Sequence, residues 1–359
     1  MTGDLNEFVA HFWPVRVVFG AGSTERIPAE VKRLGARRAL VLCTPDQRDL
    51  ARRVLGDLGD LGAGFHDGAV MHVPEASVTR AAQAARDADA DLLVAVGGGS
   101  TIGLAKALAL HHGMRFVALP TTYAGSEMTP IWGLTADGAK RTGRDPRVLP
   151  STVLYDPHHL TSLPPEVTGP SGMNAIAHAV ESMYAPDRNP ITMLLAEESI
   201  RAMAQGLPVA VDSPGDLDAR TRTLYAAWLA GTVLGMVSMG LHHKLCHVLG
   251  GRFNLPHAPM HAVLLPHVAA FNEVAAPAEL GRVAAALGAP GPGGAGAALH
   301  ALLRFTCTER SLAAIGMPAQ GIYDAAEHAL ADAYANPRQA SREDIARLLR
   351  AAFTGEMPA

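Results

Sequence analysis

The sequence predicts an α/β N-terminal domain with a Rossmann-like parallel sheet, followed by an all-α C-terminal domain. A chain of 359 residues is long enough for about two domains. Up to about Asp156, short β-rich runs alternate with amphipathic helical segments, which is the pattern of a parallel sheet covered on both faces. Beyond Pro164 and Pro165 only helical periodicity remains. We therefore expect domains at 1–160 and 161–359.

The elements of the first domain follow from apolar runs and the turn residues between them. The run VRVVFG ends in a glycine turn, and Ser23 is placed to cap the next helix. The predicted strands are 15–20, 39–43, 69–72, 91–96 and 116–120, and the helices between them end near Gly35 or span 47–58 and 76–88.

Turn signals mark the end of the first domain and a break in the second. The dipeptide Asp137-Gly138 predicts a hairpin, which is followed by the segment STVLYDP at 151–157. In the helical domain a Pro- and Gly-rich stretch at 288–296 predicts a loop.

Composition excludes several function classes. A formal charge of -4 and the lack of a long Lys/Arg run argue against nucleic acid or an anionic membrane as partner. The three scattered cysteines, without CxxC spacing, favour a reducing cytosol over a disulfide frame or a thiolate zinc site. Asp4 and Glu7 stand where a secretory signal would be basic, so we expect a cytoplasmic protein.

One segment has the length of a short membrane span. Residues 224–241 carry no charge over 18 positions, at the lower edge of the spanning length. The segment stands alone, contains three glycines and runs directly into a histidine-rich stretch. We interpret it as a helix buried in a domain core.

The glycine-rich motif GGGSTIGLAK directly follows the predicted strand 91–96 and opens a helix. Glycines let the backbone approach a pyrophosphate, and a helix N-terminus offers free N–H donors and a favourable dipole. The motif is neither GxGxxG nor a Walker sequence. It predicts a dinucleotide cradle, with a plain tight turn as the alternative, and its candidate residues are Gly97, Gly98, Gly99 and Ser100.

The loop PTTYAGSE follows the next strand, and parallel strands bind ligands at this edge of a sheet. Thr121, Thr122 and Ser126 can form hydrogen bonds with the ribose or phosphates of a cofactor. The alternative is a loop whose hydroxyl groups bond its own backbone.

Histidine is concentrated in the stretch LHHKLCHVLGGRFNLPHAPMHAVLLPH, which holds six of the 16 histidines of the chain. His243 and His247 lie four residues apart and share a helix face, and the Gly250-Gly251 break lets the chain return and present His257 from a loop. Asn174 and His178 have the same spacing. Together these residues predict a small polar site, and the alternative is ordinary helix histidines with satisfied hydrogen bonds.

These motifs carry a resemblance. GGGSTIGLAK, PTTYAGSE, SGMNAIAHAVE and the histidine stretch, in this order and spacing, resemble the iron-containing alcohol dehydrogenase superfamily, which has a dehydroquinate-synthase-like fold. The resemblance spans nearly the whole chain and its histidine motif is the most specific part. Within the superfamily the sequence is most similar to the maleylacetate reductases.

Three departures from the general pattern support that narrower placement. Metal-dependent members have Asp where Asn174 stands, and the resemblance implies that His178, His243 and His257 would complete their metal site. Gly103 replaces the Asp of the usual GGGSxxDxAK motif, and the threonine loop is one residue shorter. The resemblance therefore implies a reaction without a metal. A remaining alternative is that Asn174 ligates zinc weakly with the three histidines.

The cofactor expected from the resemblance is NADH or NADPH. Many relatives have an acidic residue after the second strand, where it binds the adenosine ribose and repels a 2′-phosphate. Thr44 takes that place here, so NADPH should be accepted beside NADH, although Asp46 nearby can restore some discrimination.

The resemblance implies reduction of the carbon–carbon double bond of maleylacetate to 3-oxoadipate, in the degradation of aromatic compounds. Hydride addition pushes charge onto the conjugated ketone oxygen and forms an enolate, which hydrogen-bond donors stabilise. Asn174, His178, His243 and His257 would surround that oxygen or a substrate carboxylate. His243 or His247 is expected to relay the proton that quenches the enolate.

The substrate is a small dicarboxylate, so a cationic contact is expected. The candidates are Lys244, Arg252 and Arg144, with Tyr323 as a further contact from the last helices. A solvated surface charge is the alternative for each cation. Relatives imply a homodimer.

Three other functions remain open at the level of sequence. The first is a metal-dependent alcohol dehydrogenase, with iron or zinc, that acts on a small aldehyde or ketone. The second is a lyase of the dehydroquinate synthase type that uses NAD only transiently. The third is a dinucleotide sensor without turnover, which the dense histidine set disfavours.

Overall fold

The structure is a computed structural model that describes residues 8–136, 139–289, 294–331 and 333–358. By its internal contacts the chain divides into two compact units. One spans Phe12–Thr161, and the other contains Ser162–Ala359.

The Phe12–Thr161 unit contains a six-stranded, entirely parallel sheet with the strand order β1-β8-β5-β4-β2-β3. A separate antiparallel pair, β6 and β7, stands between β5 and β8 in the sequence. The strands are β1 Arg16–Phe19, β2 Ala39–Leu42, β3 Gly62–His66, β4 Leu92–Gly97, β5 Phe116–Pro120, β6 Ile131–Ala136, β7 Ala139–Arg144 and β8 Thr152–Tyr155, and the helices are α1 Ile27–Arg33, α2 Arg48–Leu58, α3 Glu75–Asp87 and α4 Gly99–His112. The predicted α/β class of this half is confirmed.

The central strands are buried on both faces. Every residue of β2, β4, β5 and β8 is buried, and Val41, Val94 and Val117 share one core cluster with α1 and α2. Buried parallel strands are continuous apolar runs, and that is why the sequence shows no alternation there.

Several details of this unit differ from the predictions. The strand expected at 69–72 lies at Gly62–His66 instead, since the two glycines of GAGFH conceal a strand from propensity while parallel pairing with β2 supplies it. Ser23 begins a 3-10 helix, Ser23–Arg26, whose N-cap is Gly22, so Ser23 is not the cap. The predicted turn at Asp137-Gly138 lies outside the described residues, although the strands on either side form the hairpin.

The second unit is helical throughout its described elements, which confirms the predicted all-α class. The predicted loop at 288–296 falls partly outside the described residues, and the next helix begins at Gly294. The helices are α5 Pro165–Tyr184, α6 Pro190–Asp212, α7 Leu217–Met236, α8 Leu241–Phe253, α9 His257–Glu273, α10 Pro277–Ala286, α11 Gly294–Thr306, α12 Gly321–Ala329 and α13 Arg342–Thr354.

The uncharged segment 224–241 does not form one helix. It is divided between α7 and α8, which are bent by 93° at the break. Within the described residues no single helix has the length and hydropathy to cross a membrane, and this bent pair meets that criterion only when its two helices are taken together.

A buried arginine ties the first turns of this unit together. Arg220 on α7 is completely buried. Its guanidinium donates to the Thr168 hydroxyl at 2.8 Å, to the Leu163 carbonyl at 2.8 Å and to the Pro214 carbonyl at 2.9 Å. One side chain thereby links the start of α5 with the loop between α6 and α7.

Arg220→Met should therefore lower the free energy of unfolding by about 3 kcal/mol, because two carbonyls and a hydroxyl lose their charged donor. Urea unfolding of the full chain measures the change. The matched control is Arg201→Met, since Arg201 pairs with Glu198 on an exposed face of α6 and such pairs contribute less than about 1 kcal/mol. Equal destabilisation by the two variants would contradict this role of Arg220.

Candidate active site

The glycine motif lies at the carboxyl end of β4 and leads into α4, as the sequence predicted. Gly97 is the last residue of β4 and has a φ of 150°, which favours glycine. Gly98 is the N-cap of α4, and Gly99 is exposed with no heavy atom within 4 Å of a Cβ placed there. The first N–H groups of α4, around Ser100, have no carbonyl within their own helix, so this turn has the geometry of an anion cradle.

The threonine loop lies beside this cradle because β5 is paired with β4, with Gly97 opposite Pro120. The Thr121 backbone N–H donates to the Gly97 carbonyl at 3.3 Å. A Cβ on Gly98 would come within 2.8 Å of Thr122 Cγ2, so the two loops are in close contact. Thr122 and Ser126 are partly exposed, whereas Thr121 is buried.

A buried polar network that the sequence analysis missed supports both loops. Lys106 on α4 donates from Nζ to the Thr129 carbonyl at 2.8 Å and to the Ile131 carbonyl at 2.6 Å. The Tyr155 hydroxyl donates to Glu127 Oε1 at 2.8 Å. Burial lowers the pKa of Lys106 to about 7 and raises the pKa of Glu127. The sequence feature that could have revealed this network is Lys106, a single Lys in a helical segment that has no other Lys, Arg, Asp or Glu.

The glycine at position 103, one of the departures from the family motif, has a steric explanation in this chain. A Cβ on Gly103 would lie 2.7 Å from Val73 Cγ2. Val73 has a positive φ of 47°, an uncommon conformation for a β-branched residue, and its carbonyl accepts from the Thr135 N–H at 3.0 Å. The loop before α3 therefore occupies the space that a side chain at 103 would need.

Gly98→Ala should weaken NADH binding roughly tenfold or more, because the added methyl group displaces Thr122, a candidate cofactor contact, and keeps the backbone of the cradle away from the pyrophosphate; tenfold in affinity corresponds to about 1.4 kcal/mol. Fluorescence titration of NADH measures this effect. The control is Gly56→Ala on α2, where a Cβ meets no atom within 4 Å. Unchanged affinity in Gly98→Ala would place the dinucleotide elsewhere.

The second group of candidate residues lies on three helices of the helical unit. Asn174 and His178 are one turn apart on α5, and His243 and His247 are one turn apart on α8. His257 is the first residue of α9 and not a loop residue, and α8 continues through Gly250-Gly251 to Phe253. The chain turns at Asn254, with a φ of 50°, because Pro256 cannot continue a helix.

Five imidazoles gather where these helices meet. The ring centroids of His178 and His243 are 5.2 Å apart, and those of His257 and His261 are 4.3 Å apart. His242 and His261, which the sequence analysis noticed but gave no role, lie 4.9 Å from each other and 5.3 and 5.0 Å from His243. Of these five rings, His257 is exposed and the other four are buried. His247, one turn after His243 on α8, is also exposed.

A buried carboxylate orients this cluster. Glu181 on α5 is 1% exposed and accepts from the His242 backbone N–H at 2.9 Å and the His243 N–H at 3.3 Å, at the N-terminus of α8. Its Oε2 lies 2.5 Å from His243 Nδ1, and because the same oxygen accepts from the His243 backbone N–H, we assign the ring hydrogen to Nδ1 and a lone pair to Nε2. The sequence analysis could have found this residue, because Glu181 is a single acidic residue in the otherwise apolar segment that contains HAVE.

Burial sets the charge of these side chains. It lowers the pKa of His178, His243 and His261 well below the usual value for histidine, and neighbouring imidazoles lower it further. Burial also lowers the pKa of His242 to about 4. The cluster is therefore neutral near pH 7. The polar atoms that remain without a partner among the described residues include Asn174 Oδ1, His178 Nδ1, His242 Nδ1, His243 Nε2 and both nitrogens of His261.

The candidate substrate cations lie outside this buried cluster. Arg252 pairs with Asp324 and donates to His328 at 2.9 Å on an exposed face. The Tyr323 hydroxyl accepts from Arg350 at 2.7 Å. Arg144 is exposed at the end of β7 in the other unit, and Lys244 is half-buried on α8, next to His243. Lys244 is thus the cation that the fold places beside the histidines.

Two family models match the chain. Residues 14–157 match the iron-containing alcohol dehydrogenases, and residues 168–353 match the C-terminal model of the Fe-containing alcohol dehydrogenase family. The chain belongs to the iron-containing alcohol dehydrogenase family. It is an oxidoreductase, and the predicted resemblance is confirmed.

Within this family the chain is similar to maleylacetate reductases. It is 51% identical to that of Sphingobium indicum over 98% of this chain and 99% of the relative. It is 47% identical to maleylacetate reductase 1 of Cupriavidus pinatubonensis over 99% of each. The crystal structure of maleylacetate reductase from Agrobacterium tumefaciens superimposes with a TM-score of 0.95 at 47% identity, covering 99% of this chain and 100% of that one.

The metal implied by the family name does not fit the residues that the resemblance assigns to it. Asn174 offers a neutral amide oxygen, so that set contains no anionic ligand. Among the described His, Cys, Asp and Glu side chains, the group whose ligand atoms all lie within 4.8 Å of one another is His242, His243 and His261. His178 and His257 are not part of it.

Glu181→Gln should lower kcat by about 10- to 100-fold, because an amide N–H facing His243 Nδ1 favours the opposite tautomer. NADH affinity should stay nearly constant, and this difference separates orientation from general damage to the fold. Glu166→Gln, an exposed change on the same helix, is the control. A wild-type kcat in Glu181→Gln would show that the tautomer of His243 does not matter.

Proposed function

We propose that this oxidoreductase reduces the carbon–carbon double bond of maleylacetate to give 3-oxoadipate, with NADH or NADPH as the hydride donor. The observation that carries the proposal is the buried, neutral cluster around His243, in a chain about half identical to maleylacetate reductases over its full length.

The chemistry needs hydrogen bonds at one oxygen. Hydride from the nicotinamide adds to the alkene carbon remote from the ketone, and the electron pair of the double bond moves to form an enolate. An enolate oxygen is less basic than an alkoxide, so uncharged donors stabilise it. Asn174 and His178, both buried on α5, are suited to that contact.

His243 is suited to move the proton that completes the reaction. In the resting form its Nε2 lone pair is free and Glu181 holds Nδ1. A dianionic substrate nearby raises the pKa of this imidazole and opposes the effect of burial, and the Glu181 carboxylate stabilises the resulting imidazolium. The protonated Nε2 then donates to the carbanion carbon or to the enolate oxygen. His247 and His257, at the exposed side of the cluster, connect it with solvent.

The remaining contacts concern the carboxylates and the cofactor. Lys244, half-buried next to His243, is the cation we propose for one substrate carboxylate, with Arg144 as a second candidate, since a dianion attracts a positive charge. Thr44 lies two residues after the end of β2, where many relatives have an acid, and Asp46, two residues further on, is exposed. This arrangement supports acceptance of NADPH beside NADH.

Spectrophotometric oxidation of NADH by maleylacetate tests the proposal, and the rate should persist after exhaustive chelation. His243→Ala should lower kcat by about 100-fold or more, the usual loss for a proton-transfer group, while NADH affinity changes little. Loss of NADH affinity instead would place this imidazole at the dinucleotide. Loss of all activity on chelation would support the metal-dependent alternative.

The pH dependence has a defined sign. Because the donor is the protonated imidazole, kcat should fall as pH rises through the pKa of His243 in the substrate complex. In His243→Asn this limb of the profile should disappear. If the limb is unchanged in that variant, another group supplies the proton.

A further inference from the structure

Two buried histidines have no part in the proposed reduction. His242 and His261 are both 0% exposed, on α8 and α9. A histidine buried at this level usually has a hydrogen-bond partner at each ring nitrogen. His242 lacks one at Nδ1, and His261 lacks one at both nitrogens, among the residues that the structure describes.

These two rings and His243 offer nitrogen atoms to one common point. One ring nitrogen from each of the three residues lies within 4.8 Å of the other two. His243 Nε2 is also buried without a partner. Buried ring nitrogens that lie this close together without hydrogen-bond partners cost free energy unless a cation or ordered water lies between them.

The hydrogen bonds on the far side of the rings favour a cation. His243 Nδ1 is held by Glu181 Oε2 at 2.5 Å, and His242 Nε2 is held by the His261 backbone carbonyl at 3.1 Å. An acceptor on one ring nitrogen leaves the lone pair on the other, which is the arrangement of metal-ligating histidines. The Glu181 carboxyl oxygen at His243 Nδ1 orients this ring, as outer hydrogen-bond partners do for ligating histidines.

We propose that His242, His243 and His261 bind a divalent transition-metal ion of the Zn²⁺ type, and that the bound ion inhibits the reduction. The inhibition rests on the proposed function, because a metal on Nε2 of His243 removes the nitrogen that would carry the proton. The ligand set differs from the one that the family resemblance assigns. It shares with that set only His243.

The chemistry of the site selects the ion. Three imidazoles suit Zn²⁺, Co²⁺ or Ni²⁺, and Mg²⁺ prefers oxygen ligands. The Cys246 sulfur lies 3.8 Å from His242 Nε2, but among the described residues it does not belong to the group of ligand atoms that lie within 4.8 Å of one another, so the ligands are imidazoles.

The exposed His257 provides a route to the site. Its ring centroid lies 4.3 Å from that of His261, and its own side chain is open to solvent. An ion can therefore meet one imidazole at the surface before it reaches the buried three. We expect metal uptake to be slower in His257→Asn without a large change in affinity.

Calorimetric titration of the chelated full-length protein with Zn²⁺, and with Mg²⁺ as the ionic control, tests the site. The wild type should bind one Zn²⁺ and no Mg²⁺. His261→Asn and His242→Gln should each weaken Zn²⁺ binding by more than about 100-fold, since loss of a ligand exceeds loss of an outer partner. His267→Asn is the matched control, because His267 is another buried histidine of α9 and does not belong to the group of three, with its ring centroid 6.5 Å from that of His300.

Activity supplies the second measurement. Zn²⁺ should inhibit NADH oxidation by maleylacetate in the wild type and in His267→Asn, and the residual activity of His261→Asn should resist it. X-ray absorption of the Zn²⁺-loaded wild type needs no variant and should show imidazole ligands at about 2.0–2.1 Å.

Two results would overturn the site. One is the absence of Zn²⁺ binding to the wild type. The other is binding that survives in His261→Asn and is lost in His257→Asn or Asn174→Ala, which would assign the metal to the family set. If Zn²⁺ binds as expected but maleylacetate is not reduced at all, the proposed function fails and the metal site stands.

Discussion

The arrangement of the histidine cluster depends on one interaction, the contact of the Glu181 carboxyl group with the first turn of α8. Free N–H groups at a helix N-terminus attract negative charge, and Glu181 accepts from the backbone of His242 and His243. The same carboxylate binds the His243 ring. It therefore determines where α8 begins relative to α5 and also which nitrogen of His243 is available for chemistry.

In the sheet unit the arrangement depends on the close approach of neighbouring loops, which only residues without a side chain allow. Gly98 allows the cradle to touch Thr122, and Gly103 allows the loop at Val73 to pack against α4. Lys106 then joins α4 to the segment after the threonine loop by hydrogen bonds to Thr129 and Ile131. Small residues bring the backbone segments together, and one buried ammonium holds them there.

The elements could be predicted largely from the sequence, because their signals are local. Continuous apolar runs identified β2, β4 and β5, and the loss of strand signal after Pro165 identified the helical unit. Gly62–His66 was missed, since its glycines weaken the local signal and pairing with β2 stabilises it. The placement of His257 on a loop was wrong because the double glycine suggested a break, whereas α8 ends at Phe253.

The sequence by itself determined the family, the glycine and threonine loops at neighbouring strand ends, and the helical spacing of Asn174 with His178 and of His243 with His247. These features depend on residue type and on separation along the chain. Only the tertiary structure decided that Glu181 meets His243 and that His242 and His261 share its surroundings. Those contacts join α5, α8 and α9, which are far apart in the sequence, so the spacing of residues along one helix cannot predict them. Burial sets the charge of each imidazole, and the imidazoles become buried only when the three helices pack together.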